Sequence, residues 1–186
     1  MRAMRNPMDS WAKGDSTWFN IGSADKDLSI KLQVAGEEHA KHLRMVMISA
    51  DITAPRYWWT EFDTYRFGVE KVSCSTMHKL MSKPLKMEDF ESCNNGCFSE
   101  QMIHTVDYLN ELIKAYNTEK DQQAKRAFWE YAVQILPQSY LQKRTVQMSY
   151  AALRRMYRQR KGHKLREWQV FREWVEGLPN SWMITE

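Results

Sequence analysis

The sequence predicts a helix-rich α/β (α+β) fold with a small sheet and a C-terminal half of long helices. Three observations predict it. Apolar residues recur at helical spacing through Met102, Ile103, Val106, Leu109, Leu112 and Ile113. The stretch from Leu43 to Ile52 is rich in Met, Val and Ile and reads as a buried strand by composition, with a helix as the alternative. The chain has 186 residues, 43% of them hydrophobic, enough for one core.

Residues 1–22 mix Asn, Gly, Ser and Asp with Trp11, Trp18 and Phe19, which predicts an irregular arm anchored by its aromatics; residues 23–186 are expected to form a single domain. Ser23, the acidic Asp25 and Asp27, and the apolar Leu28, Leu32 and Ala35 predict an N-capped helix closed by Gly36. Pro55 after Thr53-Ala54 fits a helix start, with the helix over Arg56–Phe62. From Asp63 to Cys74 the pattern is loop or short strand, followed by an amphipathic piece around Ser75–Met81. The Asn-Gly step in Cys93-Asn94-Asn95-Gly96-Cys97 predicts a turn, after which one long helix follows Ser99 and another runs from Gln122 to Leu136, stopped by Pro137. Two further helices are predicted over Val146–Arg160 and Leu165–Glu176, separated by Lys161-Gly162-His163.

Several classes are excluded. Apolar-rich stretches such as 43–50 fall far short of the roughly 20 residues a membrane helix needs, and the N-terminus carries no apolar leader, so a cytoplasmic protein is expected. Cys74, Cys93 and Cys97 are expected to be reduced thiols, and with His104 they make a poor zinc site, so no metal is expected. Seven glycines form neither a phosphate-cradling loop nor a dinucleotide fingerprint.

Three clusters could carry chemistry. Arg56, Trp58, Trp59, Glu61, Asp63, Tyr65 and Arg66 bring aromatic rings, carboxylates and guanidinium groups into a short segment. Rings stack bases, arginine forks match phosphate oxygens, and carboxylates bind sugar hydroxyls. The plainer use of Trp58 and Trp59 is as core and interface anchors, with Glu61 and Asp63 pairing with Arg56 or Arg66. Lys71, Ser73 and Ser75 precede a helix start, where backbone N–H groups favour an anion; an ordinary N-cap is the plainer use of Ser73 or Ser75. From Gln138 to Arg172 ten Lys or Arg face only Glu167, with Arg154, Arg155, Arg158, Arg160, Lys161, His163 and Lys164 gathered around one turn. Such a stretch attracts phosphates.

The run Ala132-Val133-Gln134-Ile135-Leu136-Pro137, followed by Leu153 and Arg160, resembles the second half of the flavin-dependent thymidylate synthases. His42 falls where that family has a histidine before a strand, and Pro55-Arg56-Tyr57-Trp58-Trp59 where it has an Arg-Gln-Trp helix. The resemblance covers roughly Gly36 to Trp174 and implies a thymidylate-synthase-complementing-like fold, FAD as cofactor contacted by His42, dUMP as substrate, Arg160 as a substrate-binding arginine, and a homotetramer with shared sites. The combination of Tyr57-Trp58-Trp59 with Ser73-Cys74-Ser75-Thr76-Met77-His78-Lys79 is similar to a synthase-like branch found in bacteria and their phages. The family's Arg-His-Arg triplet is Thr60-Glu61-Phe62 here, which removes the positive charge a flavin pyrophosphate needs, and Glu61 repels it.

The reading is therefore a nucleotide-binding protein with a pyrimidine nucleotide as ligand, held by Arg56, Trp59, Tyr65, Lys71, Ser73, Ser75, Arg158, Arg160 and His163, with Glu61 or Asp63 as proton acceptor if there is turnover. The alternatives are an active flavin-dependent thymidylate synthase, a non-catalytic phage-type protein that sequesters a nucleotide, and a helix-turn-helix DNA binder around Lys161-Gly162-His163. Against the last, Trp168, Phe171, Trp174 and Val175 look like core and leave few side chains to read bases.

Overall fold

Some helices start at caps the sequence supplies, whereas the helix Ser23–Ala35 does not use the expected Ser23: its N-cap is Gly22, and Asp15 accepts from Ala24 N and Asp25 N. In the computed structural model, which describes residues 1–93 and 96–186, the Ser99 hydroxyl accepts from Met102 N at the start of one helix and the Asp121 carboxylate from Ala124 N at the start of another. The elements run α1 (Arg2–Arg5), α2 (Ser23–Ala35), β1 (Met47–Pro55), α3 (Arg56–Phe62), β2 (Val69–Ser73), α4 (Thr76–Lys79), α5 (Glu100–Thr118), α6 (Gln122–Ile135), β3 (Leu141–Ser149), α7 (Tyr150–Gln159), α8 (Arg166–Glu176) and α9 (Trp182–Thr185). The fold is helix-rich α/β with a small antiparallel sheet, in strand order β1-β3-β2. The register is fixed by Tyr150 N on Val46 O and Thr145 Oγ1 on Asp51 on one side of β3, and by Ser149 N on Gly68 O and Cys74 N on Lys143 O on the other.

Several sequence expectations change. The strand expected from Leu43 starts at Met47, because Lys41–Met45 form a 3-10 turn, and it is buried only at Ala54 and Pro55. The helix expected over Val146–Arg160 starts only at Tyr150, because 146–149 belong to β3 and pair with neighbouring strands; non-local pairing overrides local propensity here. The arm 1–22 is not held by its aromatics: Trp18 and Phe19 are 98% and 95% exposed. It is held by Arg5, whose guanidinium is 2.7 Å from the buried Asp25 carboxylate, and by that carboxylate accepting from Ser16 N. The turn expected through Asn94 and Asn95 lies outside the described residues.

Two compact units divide the chain, one of Met1–Ala50, Tyr65–Lys71 and Val146–Glu186, the other of Asp51–Thr64 and Val72–Thr145. The second unit's core packs α5 against α6 through Val106, Leu109, Leu112, Ile113, Ala132 and Leu136, with Leu80, Met81, Leu85 and Phe90. In α3 of that unit, Trp58, Trp59 and Phe62 pack against one another with centroids 4.9 to 5.2 Å apart, Trp59 meeting both other rings edge to face. In the first unit α7 and α8 bury Leu153, Met156, Trp168, Phe171 and Val175. Helix α2 there buries a polar stripe instead of the expected leucines: Asp25, Ser29 and Gln33, one turn apart. Ser29 Oγ lies 2.7 Å from His42 Nε2 and accepts from Gln33 Nε2.

Candidate functional site

In the first unit the N-terminus of α7 is fixed by a side-chain cap and a backbone bond. Ser149 caps it, its hydroxyl accepting from Ala152 N at 3.2 Å. The Ser149 amide in turn donates to Gly68 O at 2.9 Å. Gly68 has φ +71°, a conformation that favours glycine, and a Cβ there would come within 2.5 Å of Ser149 Oγ. The chain around Gly68 is thereby clamped against the first turn of α7.

A cavity of about 520 Å³ opens beside this clamp. Its walls include Ala40, Leu43, Met47, Gly68, Ser149, Ala151 and Ala152, with Phe67 at 81% exposure and a cationic side formed by Arg44, Arg154, Arg155 and Arg158. Among the described residues Glu37 is the one carboxylate lining it. Arg154 is only 7% exposed, and its Nε has no hydrogen-bond partner among the described residues. Arg154 and Arg158, one turn apart, both donate to the main-chain oxygen of Glu186, at 3.3 and 2.7 Å. Burial, and after it the neighbouring Arg158 charge, hold the Arg154 pKa below the ordinary arginine value, with Glu37 opposing. A helix N-terminus, several guanidinium groups and an exposed ring beside one cavity suit an anion attached to a flat aromatic group.

The residues singled out from the sequence fall into both units. In the first, Tyr65 and Arg160 come together: Arg160 Nε donates to Tyr65 Oη at 2.9 Å, and the guanidinium lies 4.4 Å from the Trp168 ring centroid. His163 stands near the same tryptophan, its Nδ1 accepting from Leu165 N at 3.1 Å. His42 is buried on Ser29, and burial first, then the amino terminus and Arg154, hold its pKa below 6.5. Arg158 lines the cavity; Lys71 is half-buried in β2.

In the second unit, Arg56 donates to Leu136 O at 3.4 Å, and Asp63 accepts from Arg144 at 2.9 Å. The Trp59 ring is fully buried, with Nε1 on Gln142 O and Arg144 over its face, so it offers no open surface. Glu61 is half-buried, Ser73 is exposed at the end of β2, and Ser75 caps α4 by accepting from His78 N. The cavity also uses Arg44 and Phe67, which no sequence cluster contained, and Arg154 and Arg155, which belong to the basic cluster but not to the expected nucleotide ligands. The arginines at 154, 155 and 158 were readable as a cationic helix; a lone Phe-Gly step in a loop carried no comparable signal.

No protein-family model matches the sequence, and no curated protein matches it. Solved structures do. The chain is similar to thymidylate synthase X from Helicobacter pylori, solved with FAD and dUMP, at TM-score 0.74 and 17% identity over 99% of this chain and 90% of that one. A second structure of the flavin-dependent enzyme from the same organism, also complexed with FAD and dUMP, matches at TM-score 0.74 and 18% identity, covering 99% and 91%. The fold is that of the flavin-dependent thymidylate synthases. At this identity the likeness concerns the fold, and the chemistry must be argued from this chain's own residues. Among the described residues no helix is long and apolar enough to cross a membrane, and no group of three or more His, Cys, Asp or Glu is placed to hold a metal ion.

Proposed function

We propose that this chain is a nucleotide-binding protein on the fold of the flavin-dependent thymidylate synthases, with a pyrimidine nucleotide as its ligand. The observation that carries the reading is the cavity at the N-terminus of α7. Buried Arg154 forms part of its wall with Nε unpartnered among the described residues, and Arg44, Arg155 and Arg158 stand around it. Phosphate belongs against these groups and the base against Phe67. The dUMP of the similar Helicobacter structures supports a pyrimidine.

The same structures hold FAD, which is a stricter test of this chain's residues. The α3 segment Thr60-Glu61-Phe62 supplies no cation: the Thr60 hydroxyl donates to Arg56 O at 3.0 Å and Phe62 is fully buried. These residues do not fit a flavin pyrophosphate held from α3. The reading is therefore binding without a flavin-dependent step.

Titration calorimetry of the purified protein with dUMP and with FAD tests this. Saturable dUMP binding that Arg158→Gln weakens is expected, with a colourless protein. The absence of binding by any pyrimidine nucleotide refutes the reading. A yellow protein that forms thymidylate refutes the flavin-free part.

A further inference from the structure

Resting on that nucleotide reading, we infer that the α7 cavity selects a nucleoside di- or triphosphate over a monophosphate. The first argument is charge. Arg44, Arg154, Arg155 and Arg158 line one cavity against Glu37, the single lining carboxylate among the described residues. A monophosphate carries about two negative charges and engages one guanidinium fork or two. A triphosphate chain carries roughly twice that and offers oxygens to every arginine of the wall.

The second argument is geometry. Arg154 and Arg158 converge on one point, since both donate to the Glu186 oxygen, and each guanidinium keeps further N–H groups to give. The first turn of α7, at Ser149, Ala151 and Ala152, is the other end of the same cavity; Ser149 N, Tyr150 N and Ala152 N already donate to Gly68 O, Val46 O and Ser149 Oγ, so what this end adds is the positive pole of the helix dipole. Ala152 and Arg158 are six residues apart, about 9 Å along the helix at 1.5 Å per residue, and helical side chains lean back toward the N-terminus, which shortens that span. One phosphoryl group serves one of these positions; a linked chain serves both.

Like charges one turn apart repel, and the shared Glu186 oxygen and Glu37 offset only part of the charge of four arginines, so further negative charge beside them is favoured. Binding should therefore strengthen with each phosphoryl group.

The experiment is a calorimetric series in EDTA at fixed salt: deoxyuridine, dUMP, dUDP, dUTP and FAD, with inorganic phosphate and tripolyphosphate as competitors. The expected result is a rise of roughly tenfold or more in affinity from dUMP to dUTP. Tripolyphosphate displaces dUTP and orthophosphate does not. Arg158→Gln, at an exposed position, lowers dUTP affinity several-fold and dUMP affinity less, and Arg154→Met does the same if it folds. Equal affinity for dUMP and dUTP overturns the inference while leaving nucleotide binding intact. FAD binding tighter than dUTP also overturns it. Silence across the whole series, tripolyphosphate included, removes the nucleotide reading itself.

Discussion

Replacing Gly68 by alanine tests the clamp that forms the cavity's floor. Two costs add. Holding a residue with a Cβ at φ +71° costs roughly 1–2 kcal/mol. The new Cβ also meets Ser149 Oγ at 2.5 Å, so the hydroxyl must leave the position from which it caps α7, a further cost of about 1 kcal/mol. The sum is roughly 2–3 kcal/mol, which for a chain of this length lowers Tm by roughly 4–12 °C. Denaturant unfolding followed by tryptophan fluorescence gives the free energy, and a double-mutant cycle separates the two parts. In a Ser149→Ala background the cap is already gone, so Gly68→Ala should cost about 1 kcal/mol less than in the wild type. A Gly68→Ala protein within about 0.5 kcal/mol of wild type, the range of an ordinary surface change, would refute the clamp. An equal cost in both backgrounds would refute the part assigned to the Ser149 contact.

Asp25→Asn leaves Arg5 buried without its counter-charge and should cost about 3–5 kcal/mol in urea unfolding; a loss under about 1 kcal/mol would show that the arm is held otherwise. Because burial, the largest influence on Asp25, is outweighed by the hydrogen bonds from Ser16 and Arg5, its folded pKa lies below 3.8, and stability present above that value is lost as pH falls through it. His42 has its folded pKa below 6.5, so the unfolded chain takes up its proton first; stability is full above 6.5 and declines as pH drops below it, a slope that His42→Asn should flatten in unfolding midpoints measured across that window. Tyr65→Phe removes the acceptor for Arg160 Nε and should cost about 1.5–3 kcal/mol, with an unchanged midpoint counting against that bond.

What was legible in the sequence is what short-range chemistry decides. Ser99 and Asp121 cap α5 and α6, Pro55 precedes α3, and Pro137 follows α6, all within a few residues of the elements they bound. What was not legible depends on partners distant in sequence. Gln147, Met148 and Ser149 carry no strong strand preference of their own; pairing against β1 and β2 makes them strand. Asp25, Ser29 and Gln33 look like a solvated face until Arg5 and His42 cover them. The same divide runs through the candidate site. Arg154, Arg155 and Arg158 announce a cationic helix by composition, but that Phe67 and Gly68 stand beside its first turn follows from the register of β2 on β3.

Helix α7 binds these threads together, because one element serves the core and the cavity. Its inward side buries Leu153 and Met156 completely, which fixes the helix in place. With the helix fixed, Arg154 and Arg158 stay one turn apart on a shared acceptor, the Glu186 oxygen, which offsets part of a repulsion of order 0.2–0.5 kcal/mol for an exposed pair. An anion beside them offsets the remainder and adds its own hydrogen bonds. Stability and binding at this cavity are then one linked quantity: at a hundredfold excess over Kd a ligand adds about 2.7 kcal/mol to the folded state. The same excess should add less in Arg158→Gln, because fewer donors meet the ligand and less repulsion remains to be relieved. A polyanion that protects the wild type and the variant equally against unfolding would place its site elsewhere than on α7.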